Sequence, residues 1–158
     1  MTSFLITGVA GFIGSNLAER LLIDGHRVVG IDNLAQGVIE QVPGGVEFHE
    51  RDIRDATTEQ LYRGVDVVFH LAAKNCISDC QADPVETVDI NVRGTAQVFE
   101  AARRAQVRKV IYAESAALYE GVASLPSAEL ETSPLSFYAS ASRQGGWWRK
   151  ATTDSRAS

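Results

Sequence analysis

Five short apolar runs punctuate the chain, and a stretch of different period follows most of them. Ser3–Thr7 (SFLIT) opens the series; RVVGID at 27–32, VEFHE at 46–50, VDVVFHLAA at 65–73 and KVIYAES at 109–115 continue it. Runs of this length, bounded by glycine and polar residues, predict strands. From Phe12 to Asp24 the period lengthens. Ile13, Leu17 and Leu21 share one helical face, with Ala18 and Leu22 beside them, and Gly25 supplies a stop. Across Val85–Ala105, residues Val88, Val92, Ala96, Phe99 and Ala102 recur at helical spacing. A short helix is predicted over 57–64 and a loop over 34–45, where glycines and a proline cluster. Strands alternating with helices imply right-handed crossovers and a parallel α/β sheet covered on both faces. The strongly apolar fourth and fifth runs suit strands buried on both sides.

Composition narrows the picture. With 158 residues, 45% of them hydrophobic, the chain can build one globular core. A net charge of -5 argues against nucleic acid as a partner, because phosphate binding needs a basic surface. No apolar run reaches bilayer length, so no membrane span is expected. The FLIT run lacks a basic flank and leads into glycines, unlike a secretory leader; a cytoplasmic location is expected. Cys76 and Cys80 are read as free thiols and no metal site is expected, since further ligands at suitable spacing are missing. The last 19 residues hold no Leu, Ile, Val or Phe. Residues 1–139 are therefore expected to form the domain, and 140–158 a poorly ordered tail.

The segment TGVAGFIG at 7–14 joins the first strand to the first helix, the setting that a dinucleotide-binding loop requires. Gly8 permits the tight turn, Gly11 lets backbone N–H groups approach a pyrophosphate, and Gly14 lets the helix pack closely. The helix N-terminus adds partial positive charge. Asp32 ends the second strand, where a carboxylate accepts hydrogen bonds from the adenosine ribose and repels a 2′-phosphate. NAD is thus favoured over NADP. These features predict a Rossmann-type doubly wound parallel sheet, with about five strands in this chain.

The ordered motifs resemble the extended short-chain dehydrogenase/reductase superfamily, in particular its NAD-dependent nucleotide-sugar epimerase/dehydratase branch. The resemblance runs from Thr7 to about Tyr138. It implies cofactor contacts from Gly8, Ala10, Gly11, Phe12, Ile13 and Gly14 in the loop and from Asp32 and Asn33 at the ribose. Asp52 and Ile53 resemble the pair that contacts adenine. Leu71, Ala72 and Ala73, from HLAA, resemble the motif whose backbone lines the cofactor, and Asn91, in NVRGT, the residue holding the helix and the neighbouring strand. In register, Ser115 is the catalytic serine or threonine and Tyr138 the catalytic tyrosine. The implied chemistry is an internal redox cycle on a nucleotide-sugar. Tyr138, as phenolate, takes a proton from a sugar hydroxyl while hydride passes to NAD; Ser115 hydrogen-bonds the same oxygen. In an epimerase the keto-sugar turns over and the hydride returns to its other face.

The chain departs from this pattern in two places. The lysine expected four residues after Tyr138 is Ser142, and an ordinary tyrosine, with a pKa of about 10, is ionised to only about one part in a thousand at pH 7. Lys150 lies too far along the chain to replace it; Lys74, just after HLAA, is carried as a candidate that reaches the cofactor region. The C-terminal substrate domain that the resemblance implies is missing, so a truncated form is expected. Ala116 and Ala117 stand where 4,6-dehydratases of the branch carry an Asp-Glu pair, which disfavours dehydration. The expected activity is nucleotide-sugar 4-epimerisation. The alternatives are a non-catalytic NAD-binding module and a dehydrogenase, reductase or decarboxylase of the same branch. The resemblance also implies a homodimer, built through the Val85–Ala105 region and the Tyr138 helix.

Overall fold

The computed structural model describes residues 1–143. In chain order the elements are β1 (Ser3–Thr7), α1 (Phe12–Ile23), β2 (Arg27–Asp32), β3 (Glu47–Glu50), β4 (Val67–His70), α2 (Ile77–Ala82), α3 (Pro84–Val88), α4 (Thr95–Arg104), β5 (Lys109–Tyr112) and α5 (Phe137–Arg143). Tight 3-10 turns cover Ile39–Gln41, Ala56–Tyr62 and Ala116–Tyr119, and a π-helical segment, Asp89–Gly94, joins α3 to α4. The described residues form two compact units: Met1–Ala73 with Gln97–Ala113, and Lys74–Ala96 with 114–143.

The first unit holds a five-stranded parallel sheet in the order β3-β2-β1-β4-β5, as the alternating pattern predicted. The chain moves outward from β1 to β3, then crosses back to place β4 on the other side of β1. That reversal makes the carboxyl ends of β1 and β4 a topological switch point, where open α/β sheets bind ligands. One row across the sheet aligns Ile31, Thr7, His70 and Tyr112. Beyond it the ladder runs one further step, through Gly8 N to Ile31 O, Leu71 N to Thr7 O and Ala113 N to His70 O. Leu5, Ile6, Val28, Val29, Ile31 and Val68 are buried, as runs covered on both faces should be. Ile6, Val9, Ala18 and Val28 form a core cluster against which Leu17, Leu21 and Leu22 pack.

Two predicted core positions differ. Ile13 is 64% exposed; it stands in the first turn of α1, just past the glycine loop at the sheet's carboxyl end. Val88 is 50% exposed and Val85 79% exposed. The Val85–Ala105 stretch is helical, but its middle winds with the wider π repeat. The periodicity of the second half therefore does not carry back into the first.

α1 ends on a left-handed glycine. Gly25 has φ +79, its N–H donates to Leu22 O, and His26 N–H donates to Leu21 O, which is the Schellman pattern. Gln106 repeats the arrangement after α4 with φ +57, Gln106 N donating to Arg103 O and Val107 N to Ala102 O.

In the second unit, α2 was missed by the sequence pattern; its six residues are too few to show a period. α3 opens with Asp83 accepting from Glu86 N–H and Pro84 in the first turn, a favourable start for a helix. α5 runs through Arg143, with Ala141 and Ser142 buried. Residues 140–143 are thus helical, unlike the poorly ordered tail expected from 140 onward. Small side chains let this apolar-poor stretch pack closely. Lys150 and the rest of the expected tail lie outside the described residues.

Candidate functional site

The loop after β1 is shaped by close approach. Gly8 has φ +75, and a Cβ there would lie 2.9 Å from Ala72 N and 3.0 Å from Leu71 C. A Cβ on Gly14 would run into Gly8 O and come 2.8 Å from Val9 Cα. The loop therefore presses both on the turn after β4 and on the first turn of α1. Gly11 caps α1 with no side-chain hydrogen bond, so the first-turn N–H groups face outward with the helix dipole behind them. Phe12 is exposed and Ala10 buried.

Asp32 is held by backbone on both oxygens. Oδ2 accepts from Ala10 N–H at 3.0 Å and Oδ1 from Leu34 N–H at 2.9 Å. Each oxygen keeps a lone pair for a ribose hydroxyl. Gly37 completes this cradle: a Cβ there would sit 2.7 Å from Ala10 Cβ and 2.9 Å from Asp32 Oδ1, and Val38 N–H donates to Ala10 O. The sequence reading placed Gly37 in a featureless loop; a glycine five residues beyond the acid was the available signal.

Asn33 and Asp52 meet. Asn33 Nδ2 donates to Asp52 Oδ2 at 2.9 Å, and Arg54 grips the same carboxylate from Nε at 2.8 Å and Nη2 at 2.7 Å. The Arg54 hydrogen bonds hold Asp52 down at about 2 against the opposing effect of partial burial. Asp52 thus enters the site as a fixed anion that joins the loops after β2 and β3, with buried Ile53 beside it. Arg54 was missed because ion pairing two residues away leaves no periodic trace.

Leu71 and Ala72 N–H groups both point at Thr7 Oγ, 3.2 Å away. Thr7 Oγ also lies 2.7 Å from Nδ1 of buried His70. Burial lowers the His70 pKa to about 4, so the ring is neutral near pH 7. The Tyr112 ring stacks at a tilt, 5.5 Å from it.

In the second unit, buried Asn91 ties the π-helical segment to the backbone of Lys74. Its Nδ2 donates to Lys74 O and its Oδ1 accepts from Lys74 N–H, both at 2.9 Å. The Lys74 ammonium is engaged elsewhere: it pairs with Glu86, which raises its pKa.

Ser115 Oγ accepts from Ala117 N–H at 3.1 Å and opens the turn Ala116–Tyr119. α5, which carries half-buried Tyr138, packs on that turn and on α2, α3 and the π-helical segment. The start of α5 is gripped by residues the sequence reading missed. Glu120 accepts from Leu135 N–H and Ser136 N–H at 3.1 Å each and from Ser136 Oγ at 3.2 Å. Ser136 Oγ accepts from Ala139 N–H, and Gln81 Oε1 from Phe137 N–H. At the lysine position, Ser142 Oγ donates back to Tyr138 O at 2.9 Å.

Cys76 and Cys80 are free thiols. Among the described residues no cluster of metal ligands forms and no helix is long and apolar enough to cross a membrane.

These features fit the adenosine and pyrophosphate part of a dinucleotide: a Cβ-free cradle, an uncapped helix N-terminus and a pre-oriented carboxylate. Comparison with known proteins agrees. The family model of the NAD dependent epimerase/dehydratase family matches residues 4–157. A UDP-glucose 4-epimerase of Mycolicibacterium smegmatis is 41% identical over 144 residues, 85% of this chain and 46% of that protein. A UDP-glucose 4-epimerase of Klebsiella pneumoniae is 38% identical over 136 residues, 79% of this chain and 97% of that protein. The solved UDP-glucose 4-epimerase of Thermus thermophilus, a complex with NAD, superposes with a TM-score of 0.90 at 32% identity, covering 98% of this chain and 51% of that one. The chain thus spans about half the length of the first of these relatives and of the solved structure.

Proposed function

The chain belongs to the NAD dependent epimerase/dehydratase family, and from that premise we propose that it is the cofactor-binding part of a nucleotide-sugar 4-epimerase. The observation that carries this reading is the seating of Asp32. Two backbone N–H groups aim its carboxylate beside the glycine loop, the arrangement a ribose diol requires. NAD, when bound, supplies a reversible hydride acceptor. The residues of this chain then have separate tasks. Asp32 takes the adenosine ribose, the first turn of α1 the pyrophosphate, and the backbone of Leu71–Ala73 lines the cofactor. Asp52 and Ile53 bound the adenine. Tyr138 exchanges a proton with the sugar hydroxyl and Ser115 hydrogen-bonds the same oxygen. The relatives named above support a UDP-sugar as substrate. Two free thiols suit the reducing cytoplasm. The exposed Val85 and Val88 support a homodimer through this helix, which a purely monomeric sedimentation profile would refute.

A second reading is favoured by Ser142. Its hydroxyl is turned onto Tyr138 O, and no ammonium of its own helix is available among the described residues to favour a phenolate. That suits an NAD-binding module without turnover. Calorimetry with NAD and an NMR assay of UDP-glucose interconversion separate the two, applied to the native chain and to Ser142→Lys. Turnover by the native chain or by Ser142→Lys supports the epimerase. NAD uptake without turnover in either supports the module. No NAD uptake by either sinks both.

A further inference from the structure

The buried Thr7–His70 pair lies outside the roles assigned so far. A hydroxyl oxygen has two lone pairs and one proton. At Thr7 Oγ, the N–H groups of Leu71 and Ala72 arrive at 3.2 Å each; they are donors only and occupy both lone pairs. The Leu71 N–H is shared with Thr7 O at 3.1 Å, whereas Oγ is the partner given to Ala72 N–H. The one proton of Thr7 is left for His70 Nδ1, 2.7 Å away. That nitrogen must therefore be an acceptor, and the ring carries its proton on Nε2. A proton on Nδ1 would set three donors against two lone pairs and strand the hydroxyl proton.

We propose that His70 is a positioning residue for NAD: as the Nε2–H tautomer it takes the Thr7 hydroxyl proton, turns the Thr7 lone pairs onto Leu71 and Ala72, and so fixes the turn that abuts Gly8. The link to the cofactor is steric. The space left for a Cβ at Gly8 is bounded by Ala72 N at 2.9 Å and Leu71 C at 3.0 Å, and Gly8 N–H is itself fixed to Ile31 O at 2.8 Å. Loop and turn are close enough that a displacement of one is felt by the other. His70 is buried and acts through Thr7.

The tautomer is directly measurable. Long-range nitrogen–proton NMR of the three histidines in the native chain should show one ring with an unprotonated Nδ1 and a protonated Nε2, assigned to His70 by its loss in His70→Asn. A His70 ring protonated on Nδ1 overturns the proposal. His70→Asn keeps an acceptor at the Nδ1 position and His70→Leu removes it. NAD should bind His70→Asn within about threefold of the native chain and His70→Leu roughly tenfold more weakly, the scale of one hydrogen bond. Ala72 amide exchange should quicken in His70→Leu alone. Equal affinity and equal exchange in the two variants overturn the proposal. If His70→Leu fails to fold by circular dichroism, Thr7→Ser against Thr7→Val provides the same contrast, with Ser keeping and Val losing the hydroxyl. If the native chain itself takes up no NAD, the cofactor reading fails, while the tautomer and the Ala72 exchange still judge His70.

Discussion

Replacing Gly8 and Gly25 separately by alanine distinguishes backbone strain from close approach. Their φ values are nearly equal, +75 and +79, so a Cβ in the left-handed region costs both variants alike, about 1–2 kcal/mol. Alanine also restricts the unfolded chain, returning about 0.4–1 kcal/mol in both. Around Gly25 nothing lies within 4 Å of an added Cβ. Its net cost is therefore roughly 0.5–1 kcal/mol. At Gly8 the added atom meets Ala72 N at 2.9 Å and Leu71 C at 3.0 Å. Both belong to backbone held by Thr7, so neither can swing aside like a flexible side chain. Overpacking of this kind costs about 1–3 kcal/mol more. Urea unfolding should thus place Gly8→Ala about 2–4 kcal/mol below the native chain, with Gly25→Ala lying between. NAD affinity should fall only for Gly8→Ala. Stability losses within about 0.5 kcal/mol of each other would refute the close-approach account and leave strain as the whole effect.

Other outcomes follow from single contacts. His70 has a folded pKa of about 4, below the ordinary histidine value of about 6.5. The unfolded chain takes up this proton first, so stability is full above about pH 6.5 and is lost as pH falls to about 4, by about 3 kcal/mol. Urea midpoints at pH 7 and 4.5 should differ less in His70→Asn than in the native chain; identical pH dependence contradicts the assignment. Gln106→Gly relieves a left-handed residue at the end of α4 and should raise stability by about 0.5–1 kcal/mol, seen as a higher Tm; a lower Tm counts against the cap geometry. Glu120→Ala removes the acceptor for three hydrogen bonds at the start of α5. It should quicken amide exchange there and cost about 1–3 kcal/mol, and unchanged exchange would show that the clamp does not hold the helix.

The parallel sheet was legible in the sequence because buried strands impose a continuous apolar run, and five such runs are hard to produce otherwise. The glycine loop was legible because backbone that must approach backbone admits one residue type. Asp32 was legible by its place at a strand end, but its two N–H partners come from Ala10 and Leu34 and only folding shows them. Thr7 and His70 stand 63 positions apart, and neither breaks a local pattern. The Arg54 and Glu120 contacts have the same character: they are made by loops, where no period announces a partner. Lys74 was legible by its position after HLAA, but its pairing with Glu86, twelve residues on, was not, because no period links the two.

The π-helical segment Asp89–Gly94 has a consequence for how this stretch can change over time. A π turn spaces its hydrogen bonds one residue wider than an α turn, so it behaves like an inserted residue that the helix has absorbed without breaking. Deleting one residue other than Asn91 between 89 and 94 would let the helix close with regular winding and keep the turns on either side in step. Regular α-helix has no such slack: a residue deleted within α4 would rotate the turns on its two sides against each other by roughly 100°. A one-residue gap in an alignment of 89–94 is therefore a neutral slip, and the same gap in α4 a change of phase. Insertions and deletions should gather in the π-helical segment and be rare in α4.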